Sequence, residues 1–85
     1  MDLNATALFV VAVQAGSLSA AAARLDVPLP TLSRRIRQLE QELAVQLMER
    51  SAQGIQPTDA GMRLYEQANR GVELLKEAEE AVRSD

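Results

Sequence analysis

The first half of the chain has apolar residues at helical spacing, interrupted by short polar breaks. From about Asp2 to Gln14 the apolar positions fall three and four residues apart, which predicts a helix. The expected buried stripe of this helix consists of Leu3, Ala7, Leu8, Val11 and Ala15. Gly16 follows, and glycine is common just after a helix C-terminus. The pattern therefore predicts a first helix that ends at Gly16.

A second, shorter helix is expected directly after this break. Ser17 and Ser19 are candidate caps, and Ser19 is placed to accept from the N–H groups of the four alanines that follow it. These alanines, at 20–23, leave room for other helices to approach closely. Residues 26–28, Asp-Val-Pro, then break the helix. A short helix, a tight turn and a longer helix form a helix-turn-helix.

The third helix is expected from about Pro30 to Ala44 and has the clearest pattern of polar and apolar positions. Its inward face consists of Leu32, Ile36, Leu39 and Leu43. At about 100° per residue, Arg34 and Arg37 lie on the opposite, outward side. Ser33 and Arg35 flank that side.

The helical pattern stops after the third helix. Residues 47–50 and 54–57 are two short candidate strands, with Gly54 as the turn residue, and predict a small hairpin, or wing. A long helix is expected next, with Thr58 as its N-cap and an acidic residue in its first turn. Only Gly61 and Gly71 interrupt this helix, each at a modest expected cost of about 1 kcal/mol.

The long helix carries an apolar seam with the spacing of a coiled coil. The seam residues are Leu64, Ala68, Gly71, Leu75, Ala78 and Val82. At about 1.5 Å per residue the helix is longer than the rest of so small a domain can cover. A partner helix is therefore the expected contact of this seam, and packing against its own domain is the alternative.

Together these elements predict a mainly α fold with two parts. A winged helix-turn-helix, made of three helices and a short two-stranded β wing, is expected at 1–57. A long linker and dimerisation helix is expected at 58–85.

Charge is unevenly distributed along the chain. The formal net charge is −3, yet residues 1–54 carry five basic and five acidic side chains, and residues 55–85 carry four basic and seven acidic ones. Electrostatic attraction decays over about 8–10 Å at physiological salt. The arginines at 34, 35 and 37 can therefore bind a polyanion although the whole chain is acidic.

Composition argues against several other functions. The chain has no cysteine and no histidine, so it lacks thiolate ligands, the commonest metal ligand and the commonest general base. The acids Glu40, Glu42 and Glu49 do not form a catalytic set without such partners. No apolar run approaches the roughly 20 residues of a membrane span. We therefore expect a cytoplasmic protein that is not an enzyme and that has no cofactor, no metal and no membrane contact.

Several motifs, in order and at the right spacing, resemble the DNA-binding domain of LysR-type transcriptional regulators. They are F-V-x-x-V-x-x-G-S-L-S-A-A-A-x-R-L at 9–25, P-x-x-S-R-R-I-R-Q-L-E at 30–40, and L-M-E-R with T-D-A-G at 47–61. The resemblance implies a winged helix-turn-helix and a linker helix that pairs with a second copy. It also implies a bacterial, sequence-specific regulator that binds an inverted repeat in double-stranded DNA. Any small-molecule effector would bind a C-terminal domain that this chain lacks.

The resemblance also implies which residues contact DNA. These are Leu29, Pro30, Thr31, Ser33, Arg34, Arg35, Arg37, Arg50 and Gln53, with Arg50 as a phosphate contact from the wing. The chain departs from the family at Pro28 and Leu29, where serine and glutamine are usual. Pro28 removes the expected N-cap, and Leu29 has a thymine methyl as its alternative base contact. The wing is also less basic than usual, because Gln53 and Gln56 stand where arginines are frequent.

A second class of function is a protein-interaction module. In that alternative the long helix binds another helical protein, and the arginines only face water and bind no ligand. Steep salt dependence is expected of DNA binding and not of a helical partner.

Overall fold

The computed structural model describes residues 3–83 and has the expected order of elements. These are α1 (Leu3–Ala15), α2 (Leu18–Leu25), α3 (Leu29–Leu43), β1 (Met48–Ser51), β2 (Gly54–Pro57) and α4 (Asp59–Arg83). Asp2, the expected start of the first helix, lies outside the described residues, as do Met1 and residues 84–85. The end of α1 and both bounds of α3 and of β1 differ from the expected ones by one residue, whereas β2 lies at 54–57 as predicted.

The core lies where α1, α2 and α3 meet. The expected inward face of α3 is confirmed at 32, 36 and 39, which are fully buried, and Leu43 is partly buried against the same core. Ala21 and Ala22 of α2 are also buried, which confirms that the alanine run allows close packing. Leu47, just before β1, and Met48, its first residue, are also buried in this core.

The predicted stripe of α1 is partly wrong. Leu3 is 73% exposed and Ala7 is exposed, whereas Ala5, Phe9 and Ala12 form the buried face. Three members of the stripe, Leu8, Val11 and Ala15, are only partly buried against the core. The cause is composition: α1 is apolar on nearly every side, so spacing alone does not select a face. Packing of α2, α3 and α4 around the helix selects it instead.

The start of α2 also differs from the prediction. Ser17 is the N-cap, because its Oγ accepts from the N–H of Ala20 at 3.1 Å. Ser19 is already inside the helix and exposed, so its predicted capping role is wrong. Arg24 lies in the last turn and Asp26 follows as a left-handed C-cap with φ 55°.

The wing is attached to the helices by backbone hydrogen bonds. Its two strands pair antiparallel, with Arg50 opposite Ile55. The N–H of Ile55 donates to the carbonyl of Gly16 at 3.1 Å, and the N–H of Thr58 donates to the carbonyl of Leu47 at 3.0 Å. The wing is therefore bound on one side to the α1–α2 turn and on the other to the start of α4.

Gly61 is required by this junction. A Cβ at this position would lie 1.9 Å from the carbonyl oxygen of Leu47, which is a backbone atom and cannot rotate away. The prediction of a modest cost at Gly61 is therefore wrong. At Gly71 a Cβ would meet no atom within 4 Å outside the backbone of its own helix, so the modest propensity cost there stays a prediction.

Only the first half of α4 packs on the domain. Leu64 and Tyr65 are partly buried against the core, and Gln14 donates to Asn69 at 3.2 Å. Beyond this contact α4 projects from the domain, and Leu75 and Val82 are 68% and 80% exposed. Among the described helices none alone is long and apolar enough to span a membrane; α1 and α2 together pass that test only as a pair bent by 119°.

Candidate nucleic-acid interface

The outward face of α3 is basic. Arg34 and Arg37 are both exposed, because the buried positions of α3 turn them away from the core. Ser33 and Arg35 are half-buried beside them, as expected. A helix-turn-helix whose second helix exposes arginines presents them as one surface to a ligand.

The start of α3 is apolar and poor in hydrogen-bond donors. Pro28 is the N-cap residue and has no side chain to cap the helix, as the sequence implied. Its carbonyl accepts from the N–H groups of Thr31 and Leu32, each at 3.1 Å. Leu29 is 41% exposed and Pro30 is exposed. Thr31 is half-buried.

Arg50 is on the inward side of the wing. Burial alternates along β1, so Met48 and Arg50 face α3 while the residues between and after them are exposed. One guanidinium nitrogen, Nη1, donates to Oγ of Ser33. The other, Nη2, is buried and has no hydrogen-bond partner among residues 3–83. Arg50 therefore connects the wing to α3 through Ser33.

The environment of Arg50 favours a bound anion. Burial of the guanidinium lowers the pKa of Arg50 from its usual value, and the nearby Arg37 cation lowers it further, while Glu40 raises it. An arginine pKa starts so high that the group stays charged at neutral pH. A negative ligand beside Arg37 and Arg50 would relieve the repulsion between the two cations.

Such a ligand has a place to bind. A cleft of about 600 Å³ lies between α3 and β1, and its charged lining residues are Arg37, Arg50 and the acidic Glu40. A second cleft of about 500 Å³ lies along the outer face of α3 and is lined by Pro30, Ser33, Arg34, Arg37, Gln38 and Gln41. Because Arg37 and Gln41 line both, we call the two clefts together the α3 groove.

Glu40 was not among the predicted site residues, yet it shapes this groove. Its Oε2 accepts from the N–H of Leu47 at 2.8 Å, which links α3 to the segment before β1. The chain reverses there through Ala44, a left-handed residue with φ 55°. Gln46 adds a bond from its Nε2 to the carbonyl of Met48 at 3.0 Å. The inward position of Arg50, in contrast, could have been predicted from the sequence. Side chains alternate between the two faces of a strand, so Met48 and Arg50 share one face of β1.

The predicted DNA-contacting residues do not form a single cluster. Ser33, Arg34, Arg37 and Arg50 gather around the α3 groove, and Leu29 and Pro30 lie at its upper end. Gln53 is exposed in the turn of the wing, where its N–H donates to Oγ of Ser51 at 3.2 Å. Within residues 3–83 no group of acidic side chains is arranged to hold a metal ion.

The predicted dimerisation residues divide into two groups. Leu64 and Ala68 are half-buried, and Leu64 packs against the core of its own domain. The remaining four, Gly71, Leu75, Ala78 and Val82, are exposed on the projecting half of α4.

Comparison with known proteins identifies the family. The sequence model of the family described as bacterial regulatory helix-turn-helix protein, lysR family, matches residues 3–62. The chain belongs to the LysR family. TfdS, an HTH-type transcriptional regulator of Cupriavidus pinatubonensis, is 45% identical over 74 residues, which are 87% of this chain and 25% of that protein. The chain thus spans about a quarter of the length of the curated LysR-family relatives it matches.

Solved structures of LysR-type proteins share the fold. A CbnR DNA-binding domain in complex with DNA has 37% identity and a TM-score of 0.85, and the match covers 99% of this chain and 97% of that one. A BenM DNA-binding domain in complex with benA site 1 DNA has 35% identity and a TM-score of 0.80, covering 96% and 92%. The predicted mainly α, winged helix-turn-helix fold with a long final helix is confirmed, as is the resemblance to LysR-type regulators.

Proposed function

We propose that this chain is the sequence-specific DNA-binding domain of a bacterial LysR-type transcription regulator. In this proposal α3 enters the major groove of double-stranded DNA, and two copies bind an inverted repeat. The observation that carries the proposal is the exposed basic face of α3, which lies on the second helix of a helix-turn-helix. Family membership and the DNA complexes of CbnR and BenM support the same partner.

Base reading is assigned to the exposed part of α3. Arg34 has two donors at the geometry of guanine O6 and N7, and residues at the start of the helix reach base edges. Thr31 and Arg35 are half-buried and are assigned to the DNA backbone. Gln53, at the exposed turn of the wing, has an amide that can donate to the phosphates of the DNA backbone beside the neighbouring groove.

Phosphate binding is assigned to the part of the α3 groove between Arg37 and Arg50. A phosphate there would lie beside the guanidinium groups of Arg37 and Arg50, which line the same cleft. Because the Ser33 hydroxyl already accepts from Arg50, its own proton remains available for a phosphate oxygen. The wing and α3 would thus hold one strand of DNA together.

The functional division of the chain is proposed at the start of α4. Residues 1–57 would bind DNA, and residues 58–85 would link and pair two copies. The exposed apolar residues Leu75, Ala78 and Val82 support this pairing, because a face of this kind on a projecting helix needs a cover. A protein of this kind would act in the cytoplasm. An effector would act through a further domain of the longer regulator.

The proposal is tested by selection from a pool of randomised DNA duplexes, followed by sequencing of the bound fraction at low and moderate salt. We expect a palindromic sequence to be enriched and to survive moderate salt. The logarithm of the affinity should fall with the logarithm of salt by roughly 0.9 for each neutralised phosphate. Absence of any enriched sequence at both salt concentrations would overturn the proposal and favour a helical protein as the partner of α4.

A further inference from the structure

Leu29 is an exception within α3. The other apolar side chains of this helix at 32, 36 and 39 are fully buried, whereas Leu29 is 41% exposed. Its spacing from Leu32 and Ile36 would continue the inward face, but Leu29 is not among the residues that pack against the core. Helical side chains lean toward the N-terminus, so that of the first residue extends beyond the end of the helix. Leu29 is therefore a leucine at the tip of the element that we assign to the major groove.

The backbone at this tip offers little to a phosphate. Helix N-termini usually bind anions through free N–H groups. Here Pro30 has no N–H, and those of Thr31 and Leu32 donate to the carbonyl of Pro28, so among residues 28–32 the N–H of Leu29 is the one backbone donor left at the tip. Pro28 and Pro30 are themselves exposed on either side of Leu29. The tip of α3 thus presents mainly apolar side chains, with fewer backbone donors than most helix N-termini have.

An apolar tip in the major groove has one chemical counterpart among the base edges. Thymine carries a C5 methyl group there, whereas guanine and adenine present acceptors and cytosine an amino donor. Leucine over a methyl group buries apolar surface on both sides. Leucine over an acceptor or donor would remove water from it without replacing the hydrogen bond, which is unfavourable.

We propose that Leu29 is a specificity-determining residue that buries the methyl group of a thymine in each half-site. This inference rests on the proposed function, since it requires α3 in the major groove. Burial of one methyl group corresponds to about a fourfold gain in affinity per half-site. Leu29 would thereby select thymine at one position, while Arg34 and its neighbours read the positions beside it.

The experiment removes the methyl group and nothing else. In the duplex enriched by selection, each thymine of a half-site is replaced in turn by deoxyuridine, with the same change in the other half-site. Binding is measured by fluorescence anisotropy for the wild type, Leu29→Ala and Leu3→Ala. Leu3 is a matched control because it is also an exposed leucine near the start of a helix, but in α1 and not in α3.

We expect one thymine at which deoxyuridine weakens wild-type binding by about fourfold per half-site. At that position Leu29→Ala should bind both duplexes equally, and Leu3→Ala should behave as the wild type does. If every thymine-to-uracil change has the same effect on Leu29→Ala and on the wild type, the inference is overturned while the proposed function stands. If no duplex is enriched at all, both the inference about Leu29 and the proposed function fail.

A second variant gives a gain of preference instead of a loss. Leu29→Gln introduces an amide, which pairs with N6 and N7 of adenine. Selection with this variant should shift the enriched base at the Leu29 position from thymine toward adenine and leave the other positions unchanged. An unchanged enriched sequence would contradict the role of Leu29.

Discussion

At the scale of single residues, backbone geometry decides which positions tolerate change. Gly61 and Gly71 both lie in α4 and look equivalent in the sequence. The structure separates them, because only Gly61 lies against the carbonyl oxygen of Leu47. This oxygen also accepts from Thr58, so it is held in place. A side chain at position 61 would therefore push α4 away from the wing.

We expect Gly61→Ala to lower the free energy of unfolding by about 3 kcal/mol or more, as severe overpacking against an immobile atom does. Gly71→Ala is the matched control and should raise it by about 1 kcal/mol through helix propensity. Urea denaturation of both variants measures the difference. Equal effects of the two changes would show that α4 does not dock as described.

Ala44 is a position where glycine, rather than a larger side chain, should stabilise the protein. It is left-handed, with φ 55°, a conformation that costs a non-glycine residue about 1–2 kcal/mol. We expect Ala44→Gly to raise the free energy of unfolding by about 0.5–1 kcal/mol after the greater freedom of glycine in the unfolded chain is subtracted. Ala7→Gly, at an exposed position inside α1, should lower it by about 1 kcal/mol. Thermal denaturation of both variants shows whether Ala44→Gly raises and Ala7→Gly lowers the stability.

At the scale of elements, side-chain caps hold the wing against the helices. Thr58 Oγ1 accepts from the N–H of Gly61 at 3.0 Å and donates to the carbonyl of Gln46 at 2.6 Å. Glu40 reaches the backbone of Leu47 from the far side of the same segment. The groove that we assign to phosphate therefore depends on a connection formed by few bonds.

Glu40→Ala should lower the free energy of unfolding by about 2 kcal/mol, since a hydrogen bond to a charged acceptor is lost and the N–H of Leu47 is left partly buried. Glu42→Ala is the control, because Glu42 is exposed two residues later on the same helix, and it should change the value by less than about 0.5 kcal/mol. Urea denaturation distinguishes the two. A similar loss for both would mean that helix charge, and not the Leu47 bond, is responsible.

The predictability of each element followed from how strongly its sequence separates polar from apolar residues. The inward and outward faces of α3 could be predicted because arginines alternate with core leucines there. The face of α1 could not, because polar residues are too few to mark it. Thr58 and Gly16 were identified as helix boundaries by their chemistry.

Contacts between segments far apart in the sequence could not be predicted from local sequence patterns. The requirement at Gly61 depends on a carbonyl 14 positions earlier, and the Arg50–Ser33 bond joins residues 17 apart. The choice between Ser17 and Ser19 as cap depends on where α2 begins, which is fixed by the turn at Gly16. These features arise from packing of the wing between the α1–α2 turn and α4.

At the scale of the whole molecule, α4 extends the chain well beyond its core. The molecule measures 46 × 25 × 19 Å, and the projecting half of α4 exposes the apolar side chains of Leu75 and Val82. A second copy covering this face would place two α3 helices at a fixed separation. The spacing of half-sites in the DNA would then be a property of the dimer.

Leu75→Glu should therefore weaken dimerisation by more than tenfold, because each half of a symmetric interface loses a buried leucine worth about 1.5–3 kcal/mol. Arg70→Gln makes the chain more negative by one charge on a side of α4 about 140° away, and should leave dimerisation nearly unchanged. Analytical ultracentrifugation over a range of concentrations measures both. A wild type that stays monomeric throughout, or equal effects of both changes, would contradict pairing through this face.

In the proposed function the outward arginines of α3 read DNA. It is tested most directly by the affinity of Arg34→Ala for the enriched duplex, beside the wild type and Arg83→Ala, a control at an exposed arginine near the end of α4. Arg34→Ala should lose about 1–3 kcal/mol of binding free energy and relax the base preference at one position. Arg83→Ala should bind as the wild type does. Equal affinity and unchanged preference in Arg34→Ala would contradict the account.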